Sequence, residues 1–217
     1  MQSMSDTIDL PELPRQAFDK RDPSPDTLFY AHKRLVTHID AGAIEAVTAL
    51  YRELLPPGGE ILDLMSSWVS HLPPEMAFAA VTGHGMNAEE LQANPRLTAR
   101  FVRDLNAEPV LPLADGSFDA ACMCVSVQYL QRPVTVFGEV RRVLRPGAPF
   151  IVTFSNRCFP TKAVAIWQAL EPQQQQELVT LYMHRAGFGD LDVSEVLPAA
   201  GDPLWAVIGI APGLAAH

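Results

Sequence analysis

Basic residues are scarce in this sequence. Lys and Arg number 16 against 25 Asp and Glu, which gives a net charge of −9 and a pI of about 5.0. Broad binding to nucleic acid or to an anionic membrane needs a basic surface, so neither partner is expected. The sequence also lacks a signal-type hydrophobic start and any apolar stretch long enough to cross a bilayer. A cytoplasmic protein is therefore predicted.

Cysteine is equally rare. The three cysteines, Cys122, Cys124 and Cys158, do not have the spacing of a metal site, and the first two lie inside an apolar run. Such residues are typical of buried free thiols in a reducing compartment. We therefore expect no metal site.

The composition is that of a folded chain. Hydrophobic residues make up 48% of the 217 residues and charged residues 19%, which is enough apolar surface for one well-buried domain. Residues 1–27 are rich in Pro, Asp and Ser without sustained periodicity, which predicts a loose N-terminal arm. Residues 28–217 are predicted to form a single domain that begins with lid or packing helices.

Strand and helix patterns alternate along this domain. Helices are predicted over 43–55, from 87, and over 136–144, 161–170 and 174–186; strands over 61–64, 77–82, 100–103, 118–125, 150–154, 193–196 and 205–210. The continuous apolar strands are typical of a parallel sheet that is covered on both faces. The predicted fold class is α/β: a doubly wound, mostly parallel seven-stranded sheet flanked by helices.

Polar side chains follow five of these strands. In open α/β sheets, ligands bind outside the carboxyl ends of the strands, so these segments should converge on one crevice. The segments are 63–70, 83–87, 104–106, 126–129 and 155–157. Their hydroxyl, amide and acidic groups are suited to holding a polar ligand.

Several of these pieces, taken together, resemble a class I S-adenosylmethionine-dependent methyltransferase of the type 11-like group. They are the strand that ends in the acid Asp63 and leads into a turn, then Asp104-Leu105 before Leu111-Pro-Leu-Ala-Asp-Gly-Ser-Phe-Asp119, and finally Glu139-Val-Arg-Arg-Val-Leu-Arg-Pro-Gly147. The resemblance extends over roughly residues 28–210. Within this group, the sequence is most similar to a subgroup with a turn like Leu62-Asp-Leu-Met-Ser-Ser-Trp-Val-Ser-His-Leu-Pro73.

Two positions depart from the family pattern. Met65, Ser67 and Val69 stand where the family has the glycines of its first turn, which let the backbone approach the methionine moiety of the cofactor. Gly85 stands where the family has the acid that binds the ribose hydroxyls.

The resemblance implies which residues hold S-adenosylmethionine. Asp63 and Ser66 would face the methionine end, Met86 and Asn87 the ribose and adenine, Asp104 and Leu105 the adenine, and Ser126 the passing methionine chain. Each has a structural alternative. In that alternative Asp63 caps the local turn, the serines 66, 67 and 70 cap a following helix, and Asn87 caps the next helix.

Other residues have two alternative roles, one in the ligand site and one in the structure of the domain. Trp68 either walls the pocket or packs inside, and His71 is more simply structural. The acceptor side would contain Gln128, Tyr129, Asn156 and Arg157, with Lys162 nearby; Arg157 and Lys162 either hold an anionic substrate or are solvated charges. Tyr30, Arg34 and His38 would lie on an N-terminal helix that either covers the site or packs on the domain.

The function implied is methylation of a small molecule with S-adenosylmethionine as cofactor, chiefly by aligning donor and acceptor. The catalytic residues are not identified by sequence. The alternative is a catalytically silent binding or regulatory protein on the same scaffold, because the turn after the first strand has lost its glycines.

Overall fold

The computed structural model describes residues 9–196 and 201–213 and is built on a seven-stranded sheet. In chain order the strands are β1 Glu60–Leu64, β2 Ala80–Gly85, β3 Ala99–Val102, β4 Ala120–Cys124, β5 Pro149–Ser155, β6 Gly189–Val196 and β7 Leu204–Ile210. They lie in the order β3-β2-β1-β4-β5-β7-β6, with β1 to β5 parallel and β7 antiparallel to both β5 and β6. The predicted mostly parallel, doubly wound sheet is confirmed.

Six α-helices accompany the sheet in the described part of the chain. They are α1 Asp26–Phe29, α2 Ala41–Leu54, α3 Ala88–Ala93, α4 Pro133–Val143, α5 Ala165–Ala169 and α6 Pro172–Ala186. Local chemistry sets the ends of the long ones. The Asp40 side chain accepts from Ala43 N at the start of α2, Glu171 and Gln174 form a capping box on α6, and Gly187 ends α6 at φ 85°.

The core lies on both faces of the sheet. On one face α4 and α6 pack together through Phe137 and Tyr182, whose rings meet edge to face. On the other face Val47 and Tyr51 of α2 lie against the sheet with Leu72 from the connection after β1. All five side chains are almost fully buried, so the parallel strands are shielded from water on both sides, as their apolar sequences require.

The connection between β1 and β2 has no helix. Residues 65–79 are irregular, so the alternative in which serines 66, 67 and 70 cap a helix after the turn is wrong. The loop is held by long-range hydrogen bonds instead. Asn94 Nδ2 donates to Ser67 O at 2.9 Å and to Ser70 Oγ at 2.8 Å, and Thr48 Oγ1 donates to His71 O at 3.1 Å.

Strand β2 lies three residues later than predicted, and its last residues include Gly83 and Gly85, which follow the predicted strand over 77–82. A Cβ on Gly83 would meet the Leu97 side chain at 2.3 Å, and one on Gly85 would meet Ser66 O at 2.5 Å. Glycine is therefore in this strand because neighbouring groups approach the backbone closely, a use of glycine distinct from a turn.

The described part of the predicted loose arm packs on the domain. Leu10 is fully buried in the core with α4 and α6, and residues Arg15–Phe18 form a 3-10 helix. Residues 1–8 lie outside the described residues. The segment 19–22 pairs with the chain around Val164, where Ala165 N donates to Asp19 O at 2.8 Å. This pairing explains why the helix predicted over 161–170 is only Ala165–Ala169.

The N-terminal helix predicted to carry Tyr30, Arg34 and His38 does not form. Helix α1 ends at Phe29, and the chain from Tyr30 to Asp40 is irregular. We call residues 30–39 the lid segment, because it crosses the carboxyl ends of the strands.

Candidate functional site

A crevice opens at the carboxyl ends of β1 and β4, where the strand order reverses and where open α/β sheets bind their ligands. Its volume is about 350 Å³, within the usual range for small-molecule sites. All five of the predicted polar segments contribute to its walls, together with the lid segment. The residues from the five segments that line it are Asp63, Met65, Ser66, Ser67, Trp68, Val69, Ser70, His84, Gly85, Met86, Asp104, Leu105, Asn106, Ser126, Tyr129 and Arg157.

Asp63, the last polar residue of β1, is 4% exposed at the floor of the crevice. Burial raises the pKa of its carboxyl to about 6, although hydrogen bonds from the Ser66 and Ser70 hydroxyls partly oppose that shift. Ser66 Oγ donates to Asp63 Oδ2 at 2.5 Å. Both serines therefore support the carboxylate, and both line the crevice.

His84 holds the turn that follows β1. Its Nδ1 accepts from Met65 N at 3.1 Å, its carbonyl accepts from Ser66 N at 2.6 Å, and its Nε2 donates to Arg103 O at 2.9 Å. Burial lowers the pKa of His84 to about 4, so the ring is neutral and its tautomer is determined by these partners. No sequence pattern pointed to this role, because the predicted strand over 77–82 ends before His84.

Three residues of the crevice wall have backbones in the left-handed region. Met65 has φ 56°, His71 φ 50° and Val125 φ 49°. This conformation costs a residue with a Cβ roughly 1–2 kcal/mol, and a β-branched residue such as Val125 adopts it rarely. Met65 thus takes a glycine-like conformation without being glycine, with its amide held by His84. Strain of this kind is concentrated at functional sites.

Ser126 has an unsatisfied hydroxyl in the crevice. The residue is 6% exposed, and its Oγ has no hydrogen-bond partner within the described chain. A buried polar atom without a partner is costly and rare, and a bound ligand would satisfy it.

Met86 and Leu105 contribute apolar side chains to the crevice wall. Asp104 also lines the crevice; its Oδ1 accepts from Asn106 N at 2.9 Å, and the residue remains partly exposed.

Asn87 is used by the fold. Its Oδ1 caps α3 by accepting from Glu89 N at 2.9 Å and Glu90 N at 3.1 Å. Its Nδ2 donates to Tyr30 O at 2.9 Å and Ala31 O at 3.2 Å. Both donors and both acceptor positions are occupied, and Asn87 does not line the crevice. The helix-cap alternative for Asn87 is the one that the structure shows.

Glu90 is a site residue that the sequence did not single out. It is 8% exposed on α3 and lines the crevice. Its Oε1 accepts from Arg34 N at 2.6 Å and its Oε2 from Ser67 Oγ at 2.7 Å. The only sequence signal was its position three residues after the N-cap Asn87, which suggested helix capping.

The lid segment closes one side of the crevice through backbone contacts. Trp68 Nε1 donates to Val36 O at 3.0 Å, and the Asn87 and Glu90 side chains hold the chain at Tyr30 and Arg34. Lid residues that line the crevice are Tyr30, Arg34, Val36, Thr37, His38 and Ile39. The segment therefore covers the site, as one of the two alternatives predicted, but as an irregular chain. Trp68 and His71 also line the crevice.

The acceptor-side candidates separate into two groups. Tyr129 and Arg157 line the crevice, with Tyr129 Oη accepting from Phe159 N at 2.8 Å and Arg157 Nε paired with Asp202 at 2.8 Å. Gln128 is fully buried and donates to Val125 O, while Asn156 is exposed, and neither lines the crevice.

Lys162 is a structural residue. Its ammonium is fully buried and contacts Asp22 at 3.0 Å, Asp26 at 3.4 Å and Ser24 O at 2.7 Å. Lys20 also pairs with Asp26. These contacts fasten the N-terminal segment to the domain, so the alternative in which Lys162 holds an anionic substrate is wrong.

Cys122 is fully buried, as predicted, whereas Cys124 and Cys158 are partly exposed and line the crevice. Burial raises the pKa of the Cys122 and Cys124 thiols, which keeps both protonated. Across residues 9–196 and 201–213, the structure brings together no group of three His, Cys, Asp or Glu side chains that could hold a metal ion. None of the described helices combines the length and the apolar character needed to cross a membrane.

Comparison with known proteins agrees with this geometry. Residues 66–152 match a family model described as a methyltransferase domain, a span of less than half of the chain. No curated protein matches the sequence.

Solved structures match over most of the chain. An S-adenosylmethionine-dependent methyltransferase from Aquifex aeolicus aligns with TM-score 0.59 at 16% identity, covering 79% of this chain and 94% of that one. A second from Mesorhizobium loti gives 0.55 at 17%, covering 76% and 97%. The [4+2]-cyclase SpnF gives 0.61 at 16%, covering 84% and 89%. The chain has the Rossmann-like methyltransferase fold. At such identities the likeness concerns the fold, and one similar structure is described as a cyclase.

Proposed function

We propose that this chain is a class I S-adenosylmethionine-dependent methyltransferase of the type 11-like group, in the subgroup with the glycine-poor turn Leu62–Pro73, and that it methylates a small molecule. The observation that carries the proposal is the convergence of the predicted strand-end residues on one crevice at the switch point of a methyltransferase fold. The match of residues 66–152 to a methyltransferase domain supports it independently.

The residues present suit the cofactor at most of its predicted contacts. Asp63 and Ser126 would hold the methionine end: one is a buried carboxylate whose pKa is raised by burial, the other a hydroxyl without a partner in the described chain. Met86, Asp104 and Leu105 would hold the adenine, since all three line the same crevice. A cationic sulfonium beside Asp63 would compensate the charge that burial makes costly.

When bound, S-adenosylmethionine supplies a methyl group that is already activated for transfer. The chain's own contribution is to bind the acceptor, align it and exclude water. In this proposal Tyr129 and Arg157, which line the crevice, would face the acceptor, and the lid segment would cover it. The walls are therefore arranged for a small acceptor enclosed between the lid and β4.

Asp104→Ala tests the placement of the cofactor. We expect the affinity for S-adenosylhomocysteine, measured by titration calorimetry, to fall by roughly tenfold or more, as loss of a hydrogen bond to a charged group predicts. The free energy of unfolding in urea should change by about 1 kcal/mol or less, because the substitution removes one hydrogen bond, the one that Asn106 N donates to the partly exposed Asp104 side chain. Glu108→Gln, an exposed neighbour paired with Arg103, is the matched control. Unchanged affinity in Asp104→Ala would show that the adenine lies elsewhere.

A catalytically silent binding protein is the second candidate. The observation that favours it is the close approach of Ser66 O to Gly85, which occupies the place where a ribose-binding acid would project. Calorimetry and thermal shift with millimolar S-adenosylmethionine and S-adenosylhomocysteine separate the candidates in part, because absence of both heat and shift would refute the enzyme. Binding without consumption of S-adenosylmethionine over a panel of small acceptors would favour the silent protein.

A further inference from the structure

Strand β2 provides no side chain for a ribose. In nucleotide-binding α/β folds an acid near the end of the second strand binds the ribose hydroxyls. Here that position is Gly85, and any Cβ there would lie 2.5 Å from Ser66 O. Because the obstacle is a backbone carbonyl, which Ser66 N holds in place through its bond to His84 O, no larger residue would fit without moving the turn. The polar contact must come from another element.

Glu90 is the acid that the structure places in this part of the crevice. It projects from the first turn of α3, directly after β2, and its carboxylate lies between the Ser67 hydroxyl and the Arg34 amide. A carboxylate has about four acceptor positions, two on each oxygen. One position on each oxygen is used by these partners, so each oxygen retains one.

The alternatives on the same element are excluded by their contacts. The Asn87 amide is fully occupied by the α3 cap and the lid segment. Glu89 is exposed, pairs with Lys33 at 2.7 Å and does not line the crevice. Glu90 is thus the one acid of α3 with free acceptor capacity that also lines the crevice.

We infer that Glu90 binds the ribose hydroxyls of the cofactor, one on each carboxylate oxygen, and so replaces the acid that β2 lacks. The inference rests on the proposed function, because it requires S-adenosylmethionine in this crevice. It also gives the glycine-poor turn a purpose. Ser67, which stands at one of the family's glycine positions, orients the carboxylate through its hydroxyl, and the lid segment at Arg34 fixes the other oxygen.

Glu90→Gln is the test, because glutamine keeps an acceptor for Arg34 N and an amide that can donate to Ser67 Oγ. Calorimetry is run with S-adenosylhomocysteine and with its analogue in which both ribose hydroxyls are replaced by hydrogen. We expect wild type to bind the analogue roughly tenfold or more weakly than S-adenosylhomocysteine, and Glu90→Gln to bind both ligands equally weakly. Glu89→Gln, which loses the same charge one residue away and also removes the exposed ion pair with Lys33 of the lid segment, should behave as wild type.

Each outcome decides the inference. If Glu90→Gln weakens both ligands by the same factor, Glu90 acts only through the lid segment or the general charge, and the inference is overturned. If wild type binds the analogue as tightly as S-adenosylhomocysteine, the hydroxyls are not recognised, and the inference is overturned even should Glu90→Gln fail to fold. If wild type binds neither ligand, the proposed function itself fails. Circular dichroism of both variants confirms that they are folded.

Discussion

Replacing Asp63 by Asn should make the protein more stable at neutral pH while impairing its site. Asp63 is an ionisable side chain at 4% exposure, with hydroxyl partners that an amide can also satisfy. The substitution removes the cost of burying a charge and keeps the shape of the side chain. Gain of stability with loss of binding is the expected signature of a residue retained for function.

The magnitude follows from the pKa. Burial raises the pKa of Asp63 from 3.8 to about 6, so the folded chain holds its proton more tightly than the unfolded chain between these values. Stability therefore falls as pH rises through this window, and the full cost is present above pH 6. About two pKa units at 1.36 kcal/mol each give about 3 kcal/mol at pH 7.5, falling to about 1.5 kcal/mol at pH 5. Below about pH 3 the difference disappears.

Urea denaturation of wild type and Asp63→Asn at pH 7.5 and 5 measures this difference, and calorimetry with S-adenosylhomocysteine measures the accompanying loss of affinity. Asp119→Asn is the control of opposite sign. Asp119 lies beside the other end of β1, where Glu60 N donates to its Oδ2 at 2.8 Å and Arg145 pairs with it at 2.6 Å, and these contacts lower its pKa. The ionised Asp119 therefore contributes folding stability that is present above pH 3.8 and lost as pH falls. Asp119→Asn should accordingly destabilise the protein at neutral pH.

Two results would refute this reasoning. A destabilised Asp63→Asn at pH 7.5 would mean that the carboxylate is stabilised in the fold by contacts that outweigh its burial. An increase in stability that is the same at pH 5 and pH 7.5 would mean that the effect does not come from the ionisation of Asp63.

The remaining predictions concern backbone approach and the N-terminal anchor. Gly85→Ala brings a Cβ to 2.5 Å from a backbone carbonyl oxygen and should destabilise the protein by about 1–3 kcal/mol in urea. Its control, Gly138→Ala, has open space within α4 and should stabilise the protein by about 0.5–1 kcal/mol. Equal effects of the two substitutions would contradict the close approach at Gly85. Lys162→Met leaves Asp26 with Lys20 as its remaining pair and should cost roughly 3 kcal/mol in thermal or urea unfolding; a neutral result would show that the buried ion network does not fasten the segment.

Patterns of local sequence were sufficient for most of the sheet. The apolar runs of β1, β4 and β5 and the three- and four-residue spacing of α2 are signals that do not depend on distant residues, and each element appears close to its predicted bounds. The convergence of the strand ends on one crevice followed from the α/β alternation alone, because parallel strands end at the same edge of the sheet.

Errors arose where distant groups decide the backbone. Gly83 and Gly85 have the residue type of a turn, yet they belong to β2, where Leu97 and Ser66 approach their backbone too closely for a side chain. Lys162 has the residue type of an anion-binding group, yet carboxylates from the N-terminal segment surround it. Neither neighbour is recognisable from local composition.

The sequence by itself determined the sheet, its helices and the edge at which a ligand would bind, because apolar periodicity and chain alternation are local properties. Only the tertiary structure decided how the first turn works without glycine: Met65 is held in a left-handed conformation by His84 from β2. Only the tertiary structure placed Glu90 in the crevice, since its position depends on Ser67 and Arg34, which lie 23 and 56 residues away along the chain. Irregular segments of this kind are stabilised by long-range hydrogen bonds, and these leave no period in the sequence.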